Sequence, residues 1–239
     1  MPADDAPADD AAAAGEVELG PKASRTRSAI IDAALRLFRE HGFEATTMRA
    51  IATEAGVSVG NAYYYFASKE HLIQAFYDRT QADHARSAQR VLDRETDLEA
   101  RMIGVVEAWV EVMEPYRAFA GTFFKNAAEP TSPLSPFSPE STPARETSID
   151  LWRQVVQGSD ARIPKVLRAE LPELLWLYFM GVVLYWVHDP TPGAARTRLL
   201  AGRTVPMVVR TIGLARLPVL RSTLADLLAL IQDLKGISA

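Results

Sequence analysis

Four aromatic side chains stand next to one another at Tyr63–Phe66, within the segment AGVSVGNAYYYFASKE (Ala55–Glu70). Successive residues of a helix point around its whole circumference, so one helix cannot bury all four rings against a single core. Some of the rings must therefore face outward. Helical spacing predicts an inward face of Ala62, Tyr63 and Phe66 and an outward face of Asn61, Tyr64 and Tyr65.

An outward face of this composition suits the major groove of DNA. The amide of Asn61 can make two hydrogen bonds to one adenine, and tyrosine hydroxyls can reach phosphates. Gly60 lets the backbone come close to DNA because it has no side chain. The alternative is that Tyr64 and Tyr65 only pack against neighbouring helices.

The residues before the aromatic cluster predict how this helix is held. Thr46 or Thr47 can cap a short helix that ends at Gly56, and Ser58 can cap the helix that follows. A preceding amphipathic helix ends at Gly42, which supplies its stop. Two short helices joined by a turn that contains glycine form a helix-turn-helix.

Basic residues flank this unit on both sides. Lys69 lies in the first turn of a fourth helix, where a positive charge opposes the helix dipole, so a phosphate bound at that end would favour it. The alternative is an ordinary solvated lysine. Lys22, Arg25 and Arg27 precede the first predicted helix and would form an arm that reaches the minor groove or the phosphates.

The composition is that of a globular chain with an acidic beginning. Of its 239 residues 48% are hydrophobic, enough for a sizeable core, and the absence of cysteine excludes disulfides and thiolate metal sites. Residues 1–21 carry six acids, no base and almost no large apolar side chain, so we expect a disordered acidic tail. Residues 22–79 carry eight bases against six acids, a balance that permits DNA binding without requiring it. The longest apolar run, Leu174–Val187, is shorter than the ~20 residues of a bilayer span, and we interpret it as a buried core helix.

The remaining two thirds of the chain show helical patterns and no strand-like alternation, so we expect an all-α domain. Five prolines within residues 129–146 predict an extended surface loop, which is either a connector or a lid over a ligand. Large rings in the neighbouring helices favour a pocket for a small, largely apolar or aromatic molecule, although such stripes also form cores. The candidate pocket residues are Trp109, Met113, Tyr116, Phe119, Phe123, Trp152 and Trp176.

The segment TTMRAIATEAGVSVGNAYYYFASKEHL, residues 46–72, resembles the DNA-binding segment of TetR-type transcriptional regulators. The shared features are the Thr47 and Arg49 pair, the AGVS turn, the Tyr65–Phe66 pair and Lys69. The sequence departs from the common pattern at Asn61–Ala62, where many members have threonine and a larger apolar residue, and this change affects the base sequence that is read. The predicted DNA contacts are Arg25, Arg27, Thr47, Arg49, Ser58, Val59, Gly60, Asn61, Tyr64, Tyr65 and Lys69.

The resemblance implies a homodimer with one DNA-binding unit per subunit and a helical C-terminal domain that binds a small effector. We therefore divide the chain into an acidic tail (1–21), a helix-turn-helix domain (22–70) and an effector-binding and dimerisation domain (71–239). Helices at 171–188 and 197–217 are the expected dimerisation pair. From this organisation we expect a cytoplasmic repressor without cofactor or metal. We expect a small, largely apolar molecule to release it from a double-stranded DNA operator.

Two other classes of protein fit the sequence less well. An enzyme is disfavoured because the four histidines form no metal-ligand or catalytic motif, and no glycine-rich phosphate loop is present. A DNA-bending architectural protein would not need a large, aromatic C-terminal domain. Binding to one DNA sequence rather than to any DNA distinguishes the regulator from both.

Overall fold

A computed structural model of the chain describes residues 20–117 and 135–215 together with eleven residues between and beyond these ranges. The predicted acidic tail lies almost entirely outside the described residues, because the description begins at Gly20. Pro21 is already helical. The isolated described residues are Ala120, Gly121, Phe124, Ala127, Glu129, Ser132, Leu217, Asp226, Ala229, Leu230 and Asp233.

The N-terminal unit contains three helices, and the first is longer than predicted. Lys22, Arg25 and Arg27 lie inside this helix, so the predicted basic arm before it is wrong. Proline fits the first turn, whose N–H groups lack helical acceptors, and this allows the helix to begin three residues before Ser24. The three helices are α1 (Pro21–His41), α2 (Met48–Glu54) and α3 (Val59–Tyr65).

The caps and turns of the helix-turn-helix follow the sequence signals. The Thr47 hydroxyl accepts a hydrogen bond from the backbone N–H of Ala50 at 3.1 Å, and the Ser58 hydroxyl accepts one from Asn61 at the same distance. Gly42 and Gly56 have φ angles of 84° and 67°, a region that side chains disfavour. The prediction of a helix-turn-helix is therefore confirmed in its local detail.

The core of this unit continues into the fourth helix, α4 (Lys69–Leu92). Leu72, Ile73 and Phe76 are buried in the same cluster as Phe38 of α1 and Ile51 of α2. A second cluster, formed further along the chain, contains Ala88 and Leu92 from the other end of α4. This one helix of 24 residues therefore takes part in both cores.

The C-terminal region is built from helices as well, and no strand occurs among the described residues. The helices with described bounds are α5 (Leu98–Met113), α6 (Thr142–Gln157), α7 (Lys165–Val187) and α8 (Ala195–Leu214), with 3₁₀ turns at Glu114–Tyr116 and Pro192–Ala194. Within this core α4 packs on α5, α5 on α8, and α7 on both α6 and α8. The fold class predicted from the sequence, all-α, is confirmed.

The proline-rich segment differs from the extended surface loop that its composition predicts. Residues 135–141 form successive turns in which Ser135, Ser138 and Ser141 are buried, and α6 already begins at Thr142. Arg145 fixes these turns by donating hydrogen bonds to the carbonyls of Pro136 and Ser138. Proline is compatible with turns and with the first turn of a helix. The spacing of the prolines therefore excludes a long helix in this segment but does not require an extended loop.

Helix α7 is longer than the apolar run in the sequence suggested. It has 23 residues and is, among the described residues, the one helix whose length and composition would suffice to cross a membrane. Its large side chains Trp176, Phe179 and Trp186 are almost fully buried within the C-terminal core. Burial on this scale identifies α7 as the central helix of that core.

Candidate functional site

The outward face of α3 is open to solvent and poor in charge. The side chain of Tyr64 is 79% exposed, and Gly60 and Asn61 are exposed beside it. These residues project from a helix that is capped at Ser58 and anchored by the fully buried Ala62. The arrangement offers exposed amide and hydroxyl groups to a large partner.

Two of the four aromatic rings lie elsewhere than predicted. Tyr63 is 52% exposed, so its assignment to the inward face is wrong. Tyr65 is half-buried, packs against the N-terminal core and meets Tyr64 edge-on at 5.2 Å. Ala62 and Phe66 define the buried side of α3. Since successive residues are about 100° apart around a helix, Tyr63 and Tyr65 lie to the two sides of that buried strip.

The remaining predicted DNA contacts surround this face. Arg49 is exposed on α2, and the Thr47 hydroxyl is engaged as a helix cap. Val59 is half-buried and packs against the core. On α1, Arg25 is exposed, whereas the guanidinium of Arg27 lies 5.2 Å from the centre of the Phe66 ring at the end of α3.

Lys69 has protein partners of its own. Its ammonium group donates to the carbonyl of Phe43 at 2.6 Å and to that of Glu44 at 3.4 Å, and it lies 4.4 Å from the centre of the Phe43 ring. These acceptors account for a lysine at the start of α4 without any phosphate, and they tie α4 to the loop before α2. Ser68 occupies the cap position, but its hydroxyl bonds the ring of His71 and not the helix backbone.

A cavity lies in the C-terminal region, and its walls differ in chemistry. The volume of the cavity, counted as the space open to the centres of water molecules, is about 130 Å³. This is roughly ten times the volume that one water needs on the same measure. Helices α5 and α7 contribute only apolar and aromatic side chains, among them Trp109, Phe179 and Trp186. Trp109 meets the other two rings edge-on at 5.5 and 4.9 Å, so this wall is a rigid aromatic cluster.

The polar groups that line the cavity come from α4 and from the start of α6, where they stand beside apolar ones such as Phe76 and Ala144. Helix α4 contributes Thr80 and Gln81, and the start of α6 with the turn before it contributes Ser141, Arg145 and Ser148. Ser141, Arg145 and Ser148 follow one another at intervals of four and three residues, so they lie on one side of the start of α6. The proline-rich segment therefore forms part of the cavity wall through Ser141 and its neighbour Pro136.

Four of the seven predicted pocket residues line the cavity, namely Trp109, Met113, Tyr116 and Trp176. Trp152 does not, because it is fully buried in the core and meets Phe179 at 5.5 Å, so its assignment as a pocket residue is wrong. Phe119 and Phe123 lie outside the described residues.

The sequence interpretation missed the contribution of α4 to the cavity. Phe76 and Thr80 lie one turn apart on α4 and both line it. Phe76 also belongs to the buried cluster of the N-terminal unit and meets Tyr116 edge-on at 4.8 Å. The same ring therefore contacts both the cavity and the core beneath the helix-turn-helix. The spacing of residues 76 and 80 in the sequence places them on one face of a helix. The same spacing is found in any helix that packs on a core, so it does not by itself indicate a cavity.

A buried histidine lies behind the aromatic wall. His84 of α4 is 1% exposed, stacks on Phe179 and has its Nε2 3.0 Å from the carbonyl oxygen of Val105. Burial lowers the pKa of His84 to about 4, partly opposed by this hydrogen bond. The ring is therefore neutral near pH 7 and serves as a packing element between α4, α5 and α7.

Family models match most of the chain. The model of tetracyclin repressor-like C-terminal domains matches residues 101–230, and the model of bacterial regulatory proteins of the tetR family matches residues 30–76. The repressor KstR of Mycolicibacterium smegmatis is 49% identical over 59 residues, which cover 24% of this chain and 29% of KstR. The regulator UidR of Escherichia coli is 44% identical over 54 residues, covering 23% and 28% of the two chains. The matches thus span less than a third of these curated relatives.

Solved structures show the same fold at low identity. A putative TetR-family regulator from Syntrophomonas wolfei superposes with a TM-score of 0.63 at 16% identity, covering 78% of this chain and 95% of the other. The regulator FadR of Bacillus halodurans superposes with a TM-score of 0.62 at 17% identity, covering 79% and 96%. With the helix-turn-helix geometry and both family models in agreement, this chain belongs to the TetR family of DNA-binding transcriptional regulators.

Proposed function

We propose that this regulator is a cytoplasmic repressor that leaves its operator when a small, largely apolar molecule occupies the cavity. The observation that carries the proposal is the position of Phe76, whose ring is shared by the cavity wall and the core of the DNA-binding unit. A molecule that displaces this ring must move α4, and α4 is also tied to α1 by the 2.8 Å ion pair between Arg79 and Asp32.

The DNA contacts of the proposal lie on α3 and its surroundings. Asn61 and Tyr64 read the major groove, and Gly60 allows close approach of the backbone. The Thr47 hydroxyl and Lys69 hold phosphates, the latter with the ammonium N–H that remains after its two carbonyl bonds. Arg25 on α1 and Arg49 on α2 are exposed bases, to which we assign further phosphate contacts.

A homodimer is part of the proposal, and an exposed apolar surface supports it. Leu177, Leu184 and Tyr185 lie on one side of α7, and Leu199, Met207 and Leu214 follow helical spacing on α8. Large exposed side chains in such rows mark a surface that a partner covers. In a symmetric dimer the two α3 helices read one operator only when they are about one DNA turn, ~34–36 Å, or a multiple of it apart.

The proposed mechanism needs no contact between effector and DNA. An effector that favours a different position of α4 changes the separation of the two α3 helices, and affinity for the operator falls. Linkage requires that DNA lowers the affinity for the effector by the same factor, typically about 5–150-fold.

The test begins with an operator selected from a random pool of duplex DNA. Compounds that quench tryptophan fluorescence are then added during a DNA-binding titration, because Trp109, Trp176 and Trp186 line the cavity. We expect such compounds to weaken operator binding. Compounds that bind the cavity and leave operator affinity unchanged would contradict the proposal.

A cavity variant sharpens this test. Met180 lines the cavity and contacts only the C-terminal core cluster, so Met180→Ala should weaken the response to the compound and leave compound-free operator binding within a few-fold. The matched control is Val166→Ala, at an exposed position of the same helix outside the cavity. Loss of compound-free operator binding in Met180→Ala would show that the residue supports the fold and not the response.

A further inference from the structure

The described cavity wall has a charge imbalance that bears on the chemistry of the effector. Arg145 is the one charged residue among the described residues that line it, and no carboxylate is among them. The polar neighbours of Arg145 are hydroxyls and amides, such as Ser148 and Gln81, which both donate and accept. A cationic molecule would therefore meet a like charge without a compensating acid.

The guanidinium of Arg145 has N–H groups that make no hydrogen bond among the described residues. It donates to the carbonyls of Pro136 and Ser138 at 2.8 and 3.3 Å and to the Thr142 hydroxyl at 3.0 Å. These bonds use three of the five N–H groups of an arginine. The described residues place no carboxylate within ion-pair distance of it. A half-buried positive charge with two unused N–H groups suits a bidentate carboxylate.

We propose that the effector is an amphipathic carboxylic acid, with its apolar body against the aromatic wall of α5 and α7 and its carboxylate on Arg145. This inference rests on the proposed function, in which the cavity is the effector site. The carboxylate would also compete with the carbonyls of Pro136 and Ser138 for the guanidinium, so the turns before α6 would respond to binding.

The test compares probes that share an apolar body and differ in the polar end. Hexanoate, decanoate and tetradecanoate are titrated at neutral pH beside the alcohols and amines of the same chain lengths, with tryptophan fluorescence and calorimetry as readouts. A charge-assisted hydrogen bond leads us to expect that the best acid binds about tenfold tighter than its alcohol. Its amine should bind more weakly than the alcohol because of the like charge on Arg145.

Variants assign that preference to the residue. In Arg145→Gln the acid should bind no tighter than the alcohol, and in Arg145→Lys part of the preference should return. The control Arg162→Gln, at an exposed arginine outside the cavity, should keep the full preference. If Arg145→Gln fails to fold, Arg145→Lys carries the test alone, and it should bind the acid several-fold more weakly than the wild type because lysine cannot make the bidentate contact.

The proposal is overturned if no acid of the series binds, if acids and alcohols of one length bind equally, or if the acid preference survives Arg145→Gln. A separate titration with the selected operator keeps this result distinct from the proposed function. An acid that binds through Arg145 without weakening operator binding refutes the release mechanism and supports the ligand class. An alcohol that binds better than its acid and releases the operator refutes the ligand class and supports the mechanism.

Discussion

The outward face of α3, which we propose as the DNA face, and the cavity differ in how the chain assembles them. The face is carried by a single short helix, Val59–Tyr65, whose caps and flanking turns lie within a few residues of it. The described walls of the cavity come from α4, α5, α6 and α7, from Tyr116, Ala120 and Phe124 between them and from the turn before α6, so its residues range from Gln74 to Val187. A local site depends on spacing along the chain, whereas the cavity depends on how distant helices pack.

The two regions also differ in what their functional side chains contribute to the fold. Tyr64 is 79% exposed, so its removal takes little packing from the core. Phe179 and Trp186 are each 1% exposed and line the cavity while forming the centre of the C-terminal core. Changes at the DNA face should therefore separate function from stability, and changes in the cavity region should mix them.

The largest expected effect is the loss of Arg101, a buried guanidinium that joins three parts of the C-terminal region. It donates to the carbonyls of Leu92, Val155 and Gln154, among others, at the ends of α4 and α6. Arg101→Leu removes the buried donor from each of these carbonyls, of which that of Gln154 keeps its bond from the backbone N–H of Gly158. We therefore expect the free energy of unfolding to fall by about 3–5 kcal/mol. Urea unfolding followed by tryptophan fluorescence at fixed protein concentration measures this.

All four tryptophans lie in the C-terminal region, at positions 109, 152, 176 and 186, so the signal reports that region. The control is Arg94→Leu, at an exposed arginine just after α4, which should change stability by less than about 0.5 kcal/mol. A similar loss in both variants would mean that the hydrogen bonds of Arg101 are not the cause.

The second prediction concerns acid sensitivity of the same region. The pKa of His84 is about 4 in the folded protein and near 6.5 when unfolded, so between these values the unfolded state binds more protons. The stability from neutral His84 is complete above pH 6.5 and is lost as the pH falls to about 4, by about 3 kcal/mol. Unfolding of the wild type and of His84→Leu across this range isolates the contribution, since other titrating groups are common to both. Equal pH dependence in the two proteins would contradict it.

The contrast between the regions explains which features the sequence could predict. The caps Thr47 and Ser58 and the turn at Gly56 act within three residues, and all three were predictable. The flank position of Tyr63 was not, because it depends on the direction in which Ala62 and Phe66 fix α3 against the core. The capping and turn signals predicted where α3 begins, but they did not predict which side of α3 faces the core.

The cavity was predictable only in part for a related reason. Aromatic composition pointed to Trp109 and Trp176, and both line it. The same composition pointed to Trp152, which packing places in the core instead. Phe76 was missed because its role depends on the crossing of α4 over Tyr116, a contact between residues forty positions apart.

The third prediction tests whether the DNA face is independent of the fold. If Asn61 makes the proposed bidentate contact to a base, Asn61→Ala should weaken binding to the selected operator by about 1–3 kcal/mol. Binding to unrelated DNA and the free energy of unfolding should both stay near the wild-type values, since Asn61 is exposed. Fluorescence anisotropy with operator and random duplexes measures this, and His41→Ala, exposed at the end of α1, is the control. Equal losses on both duplexes would remove Asn61 from base recognition.

The smallest expected effect belongs to Lys69, the first residue of α4, whose bonds within the protein must be separated from the proposed phosphate contact. Lys69→Met keeps the aliphatic stem and removes the ammonium, so the Phe43 carbonyl loses its 2.6 Å partner and stability should fall by about 1–2 kcal/mol. A phosphate contact adds a second, independent consequence: binding to all DNA sequences weakens, and the slope of log affinity against log salt concentration falls by about one unit. The control is Lys165→Met, since Lys165 is likewise the first residue of a long helix but lies in the C-terminal region. A stability loss with an unchanged salt slope would restrict Lys69 to holding the loop before α2, and the phosphate assignment would then be wrong.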